Sequence, residues 1–408
     1  MTKNLLDWEL VADKGFGDKN NICAWSMAKY KDYLYVGTLN VVNGCQVYRS
    51  KTGDKGTWKQ VNVDGFAEKS RGARTMLVFK NLLWVVTYSH IKGSQIWVTN
   101  GKDDKNGLIK WKKANLDGFG KGKKIPGARA IVVYKDKLYV GSQNIHDLPR
   151  VFRYDGPIEF NKIQPKKWTW INKDWKDDID HRGDFSLIGN MANYKTSDGK
   201  DYIYAGFYSE VASLIGELKR RFSIKTVLKI IKFFTLVRCK IYRYDGSKWE
   251  EVSKPGFGRS NIMAMSVASF DEDLYFGTSN IFGAELWKTN DGVNWIQVSK
   301  RGFGQTLNIS VWGLHVFKER LVIGIQNLVK GSQIWASIKK NPSSNKDFTQ
   351  ISSNFIYKKT QSKNKFKQDG VKTFEVFNGR LYAGTSYYKN VIKSNVCPGC
   401  EIWRINHL

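Results

Sequence analysis

The 408-residue chain is poor in the residues that most often announce a chemistry: it has five cysteines and five histidines. Cys23, Cys45, Cys239, Cys397 and Cys400 are odd in number and irregular in spacing, which excludes a disulfide framework. Cys397-Pro-Gly-Cys400 has the spacing of a zinc knuckle, but no second Cys or His pair at metal spacing supplies the other two ligands. The pair therefore reads as a loop turn, with a metal or a local disulfide as the lesser alternatives. No stretch reaches the ~18 continuous apolar residues of a membrane-spanning helix. The N-terminal MTKNLLDWELVADKG lacks the apolar run of a signal peptide. These absences point to a cytoplasmic setting, at most peripheral to a membrane, or to an extracellular one if a leader has been removed. Gly-rich phosphate loops, nucleophile elbows and His-rich metal motifs are also missing, so no cofactor is implied.

Acidic residues are scarce as well. Against 66 Lys and Arg stand 37 Asp and Glu, a formal net charge of +29. Charge of that size bears on partners and solubility rather than on fold. It suits an anionic polymer (glycan or nucleic acid), an acidic protein or an anionic lipid surface; a solvated lysine-rich surface is the plain alternative. With 41% hydrophobic and 14% aromatic residues, wholesale disorder is excluded.

What the chain does have is a repeat. A strand-like core occurs as LYVGT at Leu34, LWVVT at Leu83, LYVGS at Leu138, IYAGF at Ile203, LYFGT at Leu274, LVIGI at Leu321 and LYAGT at Leu381. A second core follows each, at Val47, Ile96, Val151, Ile241, Leu286, Ile334 and Ile402; in four copies the interval is 13 residues. An aromatic strand comes next, at Trp58, Trp111, Trp168, Trp249, Trp295 and Phe348. Before each first core lies an apolar strand ending in an aromatic, from Tyr30 to Phe377. Four short strands per copy, rich in Val, Ile, Tyr and Trp and punctuated by Gly and Asp, describe a propeller blade. The seventh copy stops at CEIWRINHL without its final Trp strand, and the N-terminal LLDWELV followed by Gly15-Phe16-Gly17 matches the missing piece. The expectation is a single all-β domain over residues 1–408: a seven-bladed β-propeller of four-stranded blades, the last completed by the N-terminal strand.

The segment Thr289 to Trp295, TNDGVNW, resembles the Asp-box turn of sialidase-like propellers, and Arg243 to Trp249 and Ser50 to Trp58 are looser versions. The resemblance is to a superfamily. It implies a structural turn and carries no activity with it. Enzymes of the sialidase type need several converging arginines, and here only Arg74 and Arg129 occupy equivalent inner-strand positions, so that site does not transfer.

Function is expected at the departures from the repeat, because loops on a rigid scaffold carry it. In the fourth copy the 13-residue interval becomes 38, and residues 210–239 form a basic segment with Ile224, Val227, Leu228, Ile231 and Phe234 at helical spacing. It reads as an amphipathic helix for membrane or partner docking, or as a cap over the domain's own rim. Loops leading into the inner strands carry Arg71 and Arg74, then Lys121, Lys123, Lys124 and Arg129, then Lys363, Lys365, Lys367 and Lys372. Trp25 and Trp312 lie at equivalent inner-strand positions near the same face, where cations and indoles side by side could bind a glycan or a stacked base. The acidic loop with Asp177, Asp178 and Asp180 is the one candidate for a cation such as Ca²⁺, though its spacing fits no calcium-loop template. For catalysis the candidates are Glu375 and His315, on neighbouring blades. They would act as an acid–base pair in a carbohydrate-active enzyme, a glycosidase or lyase with its site at the channel mouth. A non-catalytic binding or scaffold protein is the reading the sequence favours.

Overall fold

Period-two alternation and a high share of β-branched and aromatic residues commit each copy of the repeat to strands. A computed structural model describes residues 6–104, 106–144, 148–176, 187–208, 237–327, 329–352, 356–358, 365–387 and 397–408. Over these residues the protein is all-β, and the helical pieces are 3₁₀ turns of three or four residues. No helix among them is long and apolar enough to cross a membrane. The docking segment with Ile224, Val227, Leu228, Ile231 and Phe234, the acidic residues Asp177, Asp178 and Asp180, and Lys363 all lie outside the described residues.

The strands fall into seven antiparallel units. Unit 1 runs Asn21–Tyr30, Tyr33–Asn40, Val47–Ser50 and Lys59–Gln60, each strand paired with the next. Units 2 to 7 open with Gly72–Phe79, Gly127–Tyr134, Leu187–Lys195, Met263–Phe270, Asn308–Phe317 and Gly370–Phe377. In unit 7 the fourth place is taken from the start of the chain. Glu9–Ala12 pairs with Ile402–Ile405 in the register Glu9↔Arg404, Leu10↔Trp403. First strands of successive units lie side by side, and that of unit 7 lies beside that of unit 1. Backbone bridges such as Leu39↔Gly72, Tyr88↔Gly127 and Ser386↔Cys23 join a unit's second strand to the first strand of the next.

Apolar clusters fill the spaces between units. Trp84, Val86 and Ile96 of unit 2 meet Ile131, Leu138 and Val140 of unit 3. Val11, Phe377, Tyr382 and Ile402 of unit 7 meet Ala24, Leu34 and Val36 of unit 1 in the same way. Indole N–H donors add a second tie. Trp58, Trp111, Trp168 and Trp295 each donate to a carbonyl of the preceding unit, at Val11, Val61, Ala114 and Val252, over 2.7 to 3.1 Å. Trp8 repeats the contact toward Ile351 at 3.2 Å.

The glycine recurring in the LYVGT cores has a steric cause. A Cβ on Gly37 would stand 2.7 Å from the Ala73 Cβ of the next unit, and one on Gly277 would stand 2.4 Å from the Val311 Cγ1. Gly277→Ala is expected to cost about 1–3 kcal/mol through overpacking, read as a lower urea midpoint at unchanged slope; an unchanged midpoint would refute the steric account.

Two turn types organise the ends of the units. In Thr289–Trp295, Asp291 accepts the backbone N–H groups of Val293 and Asn294 at 2.9 and 2.8 Å, and Gly292 donates to the Thr289 hydroxyl at 2.9 Å. Burial opposes ionisation, but these hydrogen bonds win and hold the Asp291 carboxyl at about 2. The second type is the Gly-Phe turn entering five of the units. Here Phe16, Phe66, Phe119, Phe257 and Phe303 adopt φ of 54° to 62°, a conformation costly for a bulky residue. Ring packing offsets it: Phe66 stacks on Trp97 at 4.9 Å and meets the edge of Trp111 at 5.2 Å. In each case the turn's glycine donates to the end of a second-to-third-strand loop, as Gly65 does to Cys45 at 2.9 Å and Gly302 to Ala284 at 2.8 Å. The two loop classes therefore share one end of the molecule.

Candidate functional site

Every first strand contains a β-bulge, at the same position in six units and spread over Gly189 and Asn190 in unit 4. The register slips between Ala24 and Ser26, Ala73 and Thr75, Ala128 and Ala130, Ile188 and Met191, Ala264 and Ser266, Val311 and Gly313, and Val371 and Thr373. The extra residues are Trp25, Arg74, Arg129, Asn190 (with Gly189), Met265, Trp312 and Lys372. A bulge re-aims a side chain out of the alternation of its strand. Here six of these seven side chains converge on one cavity of about 160 Å³, whose rim is completed by Ser26, Thr75, Ser266 and Thr373.

The cavity is cationic. Lys372 Nζ stands 4.9 Å from the ring centroids of both Trp25 and Trp312. The Arg74 guanidinium lies 5.3 Å from the Trp25 ring and donates through Nη1 to Gln143. Its Nε is buried with no hydrogen-bond partner among the described residues. Arg129 Nη1 donates to the Tyr208 hydroxyl at 2.9 Å and reaches the Met265 sulfur at 3.7 Å. No carboxylate is among the described residues that line the cavity. Burial and the neighbouring Arg129 charge push the Lys372 ammonium well below the usual lysine range, with Arg74 adding to the effect; Cys23 and Asp369 pull the other way without reversing it. Gathering Arg74, Arg129 and Lys372 around one cavity is electrostatically costly, and an anion entering it would lower that cost.

The structure thus brings together Trp25, Trp312, Arg74, Arg129 and Lys372 of the residues expected from sequence. Arg71, Lys121, Lys123 and Lys124 are not on the cavity lining; the last three are exposed in the loop entering unit 3. Lys365 and Lys367 belong to a short hairpin with Ile356–Lys358. Glu375 and His315 occupy matching positions three residues past the bulges of units 7 and 6, outside the lining. Among the described residues no hydrogen bond or ion pair joins them. Burial raises the Glu375 carboxyl while it accepts the Val376 N–H at 3.0 Å, and burial brings His315 down to about 4. Cys397 and Cys400 are buried free thiols, and burial pushes Cys397 up to about 11.

The residues that sequence reasoning did not assign are Tyr208, Gln143 and Met265, which hold the two arginines. One signal was countable. Trp25, Arg74, Arg129, Met265, Trp312 and Lys372 each stand five residues before the aromatic that ends the strand, so Lys372 belongs with the arginines and indoles rather than with the loop lysines.

No protein family and no curated protein sequence matches the chain. Solved structures do resemble it in shape. Puromycin hydrolase superposes with a TM-score of 0.52 at 9% identity, over 94% of this chain and 53% of that one. This chain therefore spans about half the length of that hydrolase. A polysaccharide lyase gives a TM-score of 0.49 at 10% identity, over 93% of this chain and 89% of that one. A lectin in complex with alpha methyl fucoside gives 0.46 at 11%, over 83% and 98%. At such identities the likeness is one of fold, an antiparallel all-β architecture, and it leaves function to the residues of this chain.

Proposed function

We propose that the chain is a seven-bladed β-propeller, and that its axial cavity binds the anionic group of an acidic sugar in a glycan without transforming it. The propeller reading is supported by the apolar clusters between units, by the N-terminal strand in unit 7, and by a Thr289–Trp295 turn closed on the Asp291 carboxylate. The binding reading rests on one observation: three basic side chains, two indoles and several hydroxyls line one cavity, and no acid is among its described lining residues. A carboxylate or sulfate would meet charge-assisted donors from Arg74, Arg129 and Lys372. The hydroxyls of Ser26, Thr75, Ser266 and Thr373 and the Asn190 amide suit the rest of a sugar ring. A nucleic-acid strand fits less well. Stacking of successive bases needs open aromatic faces along a groove, whereas here the indoles face bound cations around a compact cavity.

Titration calorimetry with oligogalacturonate and sulfated oligosaccharides, beside their neutral parents, tests this. The acidic ligands are expected to bind and the neutral ones not, and Arg129→Met is expected to weaken binding by at least about tenfold. Equal binding of the neutral parents overturns the reading.

A second reading, a lyase, is favoured by Lys372 alone. An amine whose charged form is disfavoured by burial and by two guanidinium groups would take the proton next to a sugar carboxylate as the glycosidic C–O bond breaks and water protonates the departing oxygen. Release of an unsaturated sugar, seen by ultraviolet absorbance and lost in Lys372→Met, would establish it. A glycosidase has no support at this cavity, because the usual mechanism needs two carboxyl groups there.

A further inference from the structure

The loops joining second and third strands carry a repeated device. In units 1, 2, 5 and 6 a side-chain oxygen of Asn40, Ser89, Asn280 or Asn327 accepts the backbone N–H two residues on. The bonds run from Val42, Ile91, Phe282 and Val329 and measure 3.1, 3.4, 3.0 and 3.1 Å. Each turn lifts an apolar side chain to the tip of its loop, where Val42, Ile91, Phe282 and Val329 are 60, 51, 54 and 55% exposed. In the other three units this loop lies wholly or partly outside the described residues. A single exposed aliphatic needs no explanation; four in the same register do. Ile281 is exposed beside Phe282, and Val63, Leu116 and Leu307 are exposed in the loops entering units 2, 3 and 6. The hydrogen bonds between the two loop classes put all of them at one end of the molecule.

That end is also basic. Lys69, Lys92, Lys121, Lys124, Arg259 and Lys330 are exposed among the tips. Of the acids described there, Glu68 pairs with Lys92 at 3.0 Å and Asp117 with Lys113 at 2.8 Å, while Asp18 and Asp64 accept from asparagine and glutamine amides. The tips are separate side chains, one on each of four different units. A protein partner would need a matching set of pockets, whereas a fluid surface receives separated apolar points wherever they fall. We propose that this end of the protein docks on an anionic lipid surface. The tips enter the interface, and the surrounding lysines and arginines meet the headgroups. This docking uses residues apart from the cavity, so it stands or fails independently of sugar binding.

The test is co-sedimentation of the full chain with vesicles of phosphatidylcholine, with and without phosphatidylserine, over a salt series. The wild type is expected to sediment with the phosphatidylserine vesicles and to be released by salt. Val42→Ser/Ile91→Ser/Phe282→Ser/Val329→Ser is expected to lower the partition at least about tenfold, since binding scales with apolar area. Lys372→Met is expected to bind vesicles as the wild type does. A second variant, Lys121→Glu/Lys123→Glu/Lys124→Glu, is expected to weaken binding without touching a tip, which guards against a folding defect in the first. Failure of the wild type to sediment, unaltered partition of the tip variant, or equal binding to neutral vesicles each overturns the proposal. Self-association of the wild type that the tip variant loses would do so too, assigning the face to a second copy of the chain.

Discussion

Lys372→Met is expected to stabilise the protein and to weaken, without abolishing, its anion binding. The folded-state pKa of Lys372 lies well below the ordinary lysine value because the side chain is desolvated and faces Arg129 and Arg74. Below that lowered pKa the ammonium is charged in both folded and unfolded chains, and the folded state bears the full cost of holding it. Between the lowered pKa and the ordinary one, the unfolded chain binds a proton that the folded chain does not. The contribution of this group to stability therefore rises with pH across that window. Methionine fills similar volume with no charge and is expected to add about 1–3 kcal/mol, because it removes an ammonium that is desolvated and faces two guanidinium groups. The gain is largest at acid pH and fades as pH climbs through the window. Urea unfolding of both proteins at two pH values checks this, and a gain that grows with pH would sink it. Affinity moves the opposite way. An arriving anion favours the ammonium, so binding above the lowered pKa takes up a proton. Calorimetry in buffers of different protonation enthalpy is expected to show that uptake in the wild type and none in Lys372→Met. Equal uptake in both would remove Lys372 from the site.

Removing residues 1–12 is expected to have the largest effect on the fold. Glu9–Ala12 is the fourth strand of unit 7, and its loss leaves Ile402–Ile405 as an open edge. It also strips the Val11 carbonyl from Trp58 and the Trp8 donor from Ile351. The buried Arg404 guanidinium, which now bonds Glu9 at 2.6 Å and Asp54 at 2.6 Å, loses Glu9 and keeps Asp54 and the Tyr382 hydroxyl. A loss of more than about 4 kcal/mol is expected, beyond the usual range for a single substitution, together with association in size-exclusion chromatography. Arg404→Met alone should cost less, because both carboxylates it leaves are partly exposed. A truncated chain with unchanged urea midpoint and elution would refute the role given to the N-terminal strand.

The repeat was legible because it rests on local chemistry: period-two alternation, aromatic strand ends, and turns such as Asn290-Asp291-Gly292 that bond to themselves. The missing strand of unit 7 was legible because Trp8 and Gly15-Phe16-Gly17 repeat a pattern seen elsewhere in the chain. The site was legible only in part. Trp25 matched Trp312 and Arg74 matched Arg129, but Lys372 read as one more loop lysine. A bulge shifts the parity of a strand without leaving a mark in composition, and the next-unit contacts that accompany it are long-range. The phenylalanine of the Gly-Phe turns was a marker without a reason until its ring was seen bridging two units. Glu375 and His315 drew notice as lone titratable residues on inner strands, yet their backbone and burial environments explain them without any mutual contact.

The bulges have a consequence for how such a protein can change. A residue inserted into a strand as an extra member has no partner across the ladder, so its identity is released from the pairing rules that constrain its neighbours. Seven such positions, one per unit, form a code written on a scaffold that does not read it. Tryptophan, arginine, asparagine, methionine and lysine already occupy them within a single chain. Recombining those letters would yield cavities of new charge and shape, at a packing cost wherever the side chain is buried, as Trp25 and Met265 are.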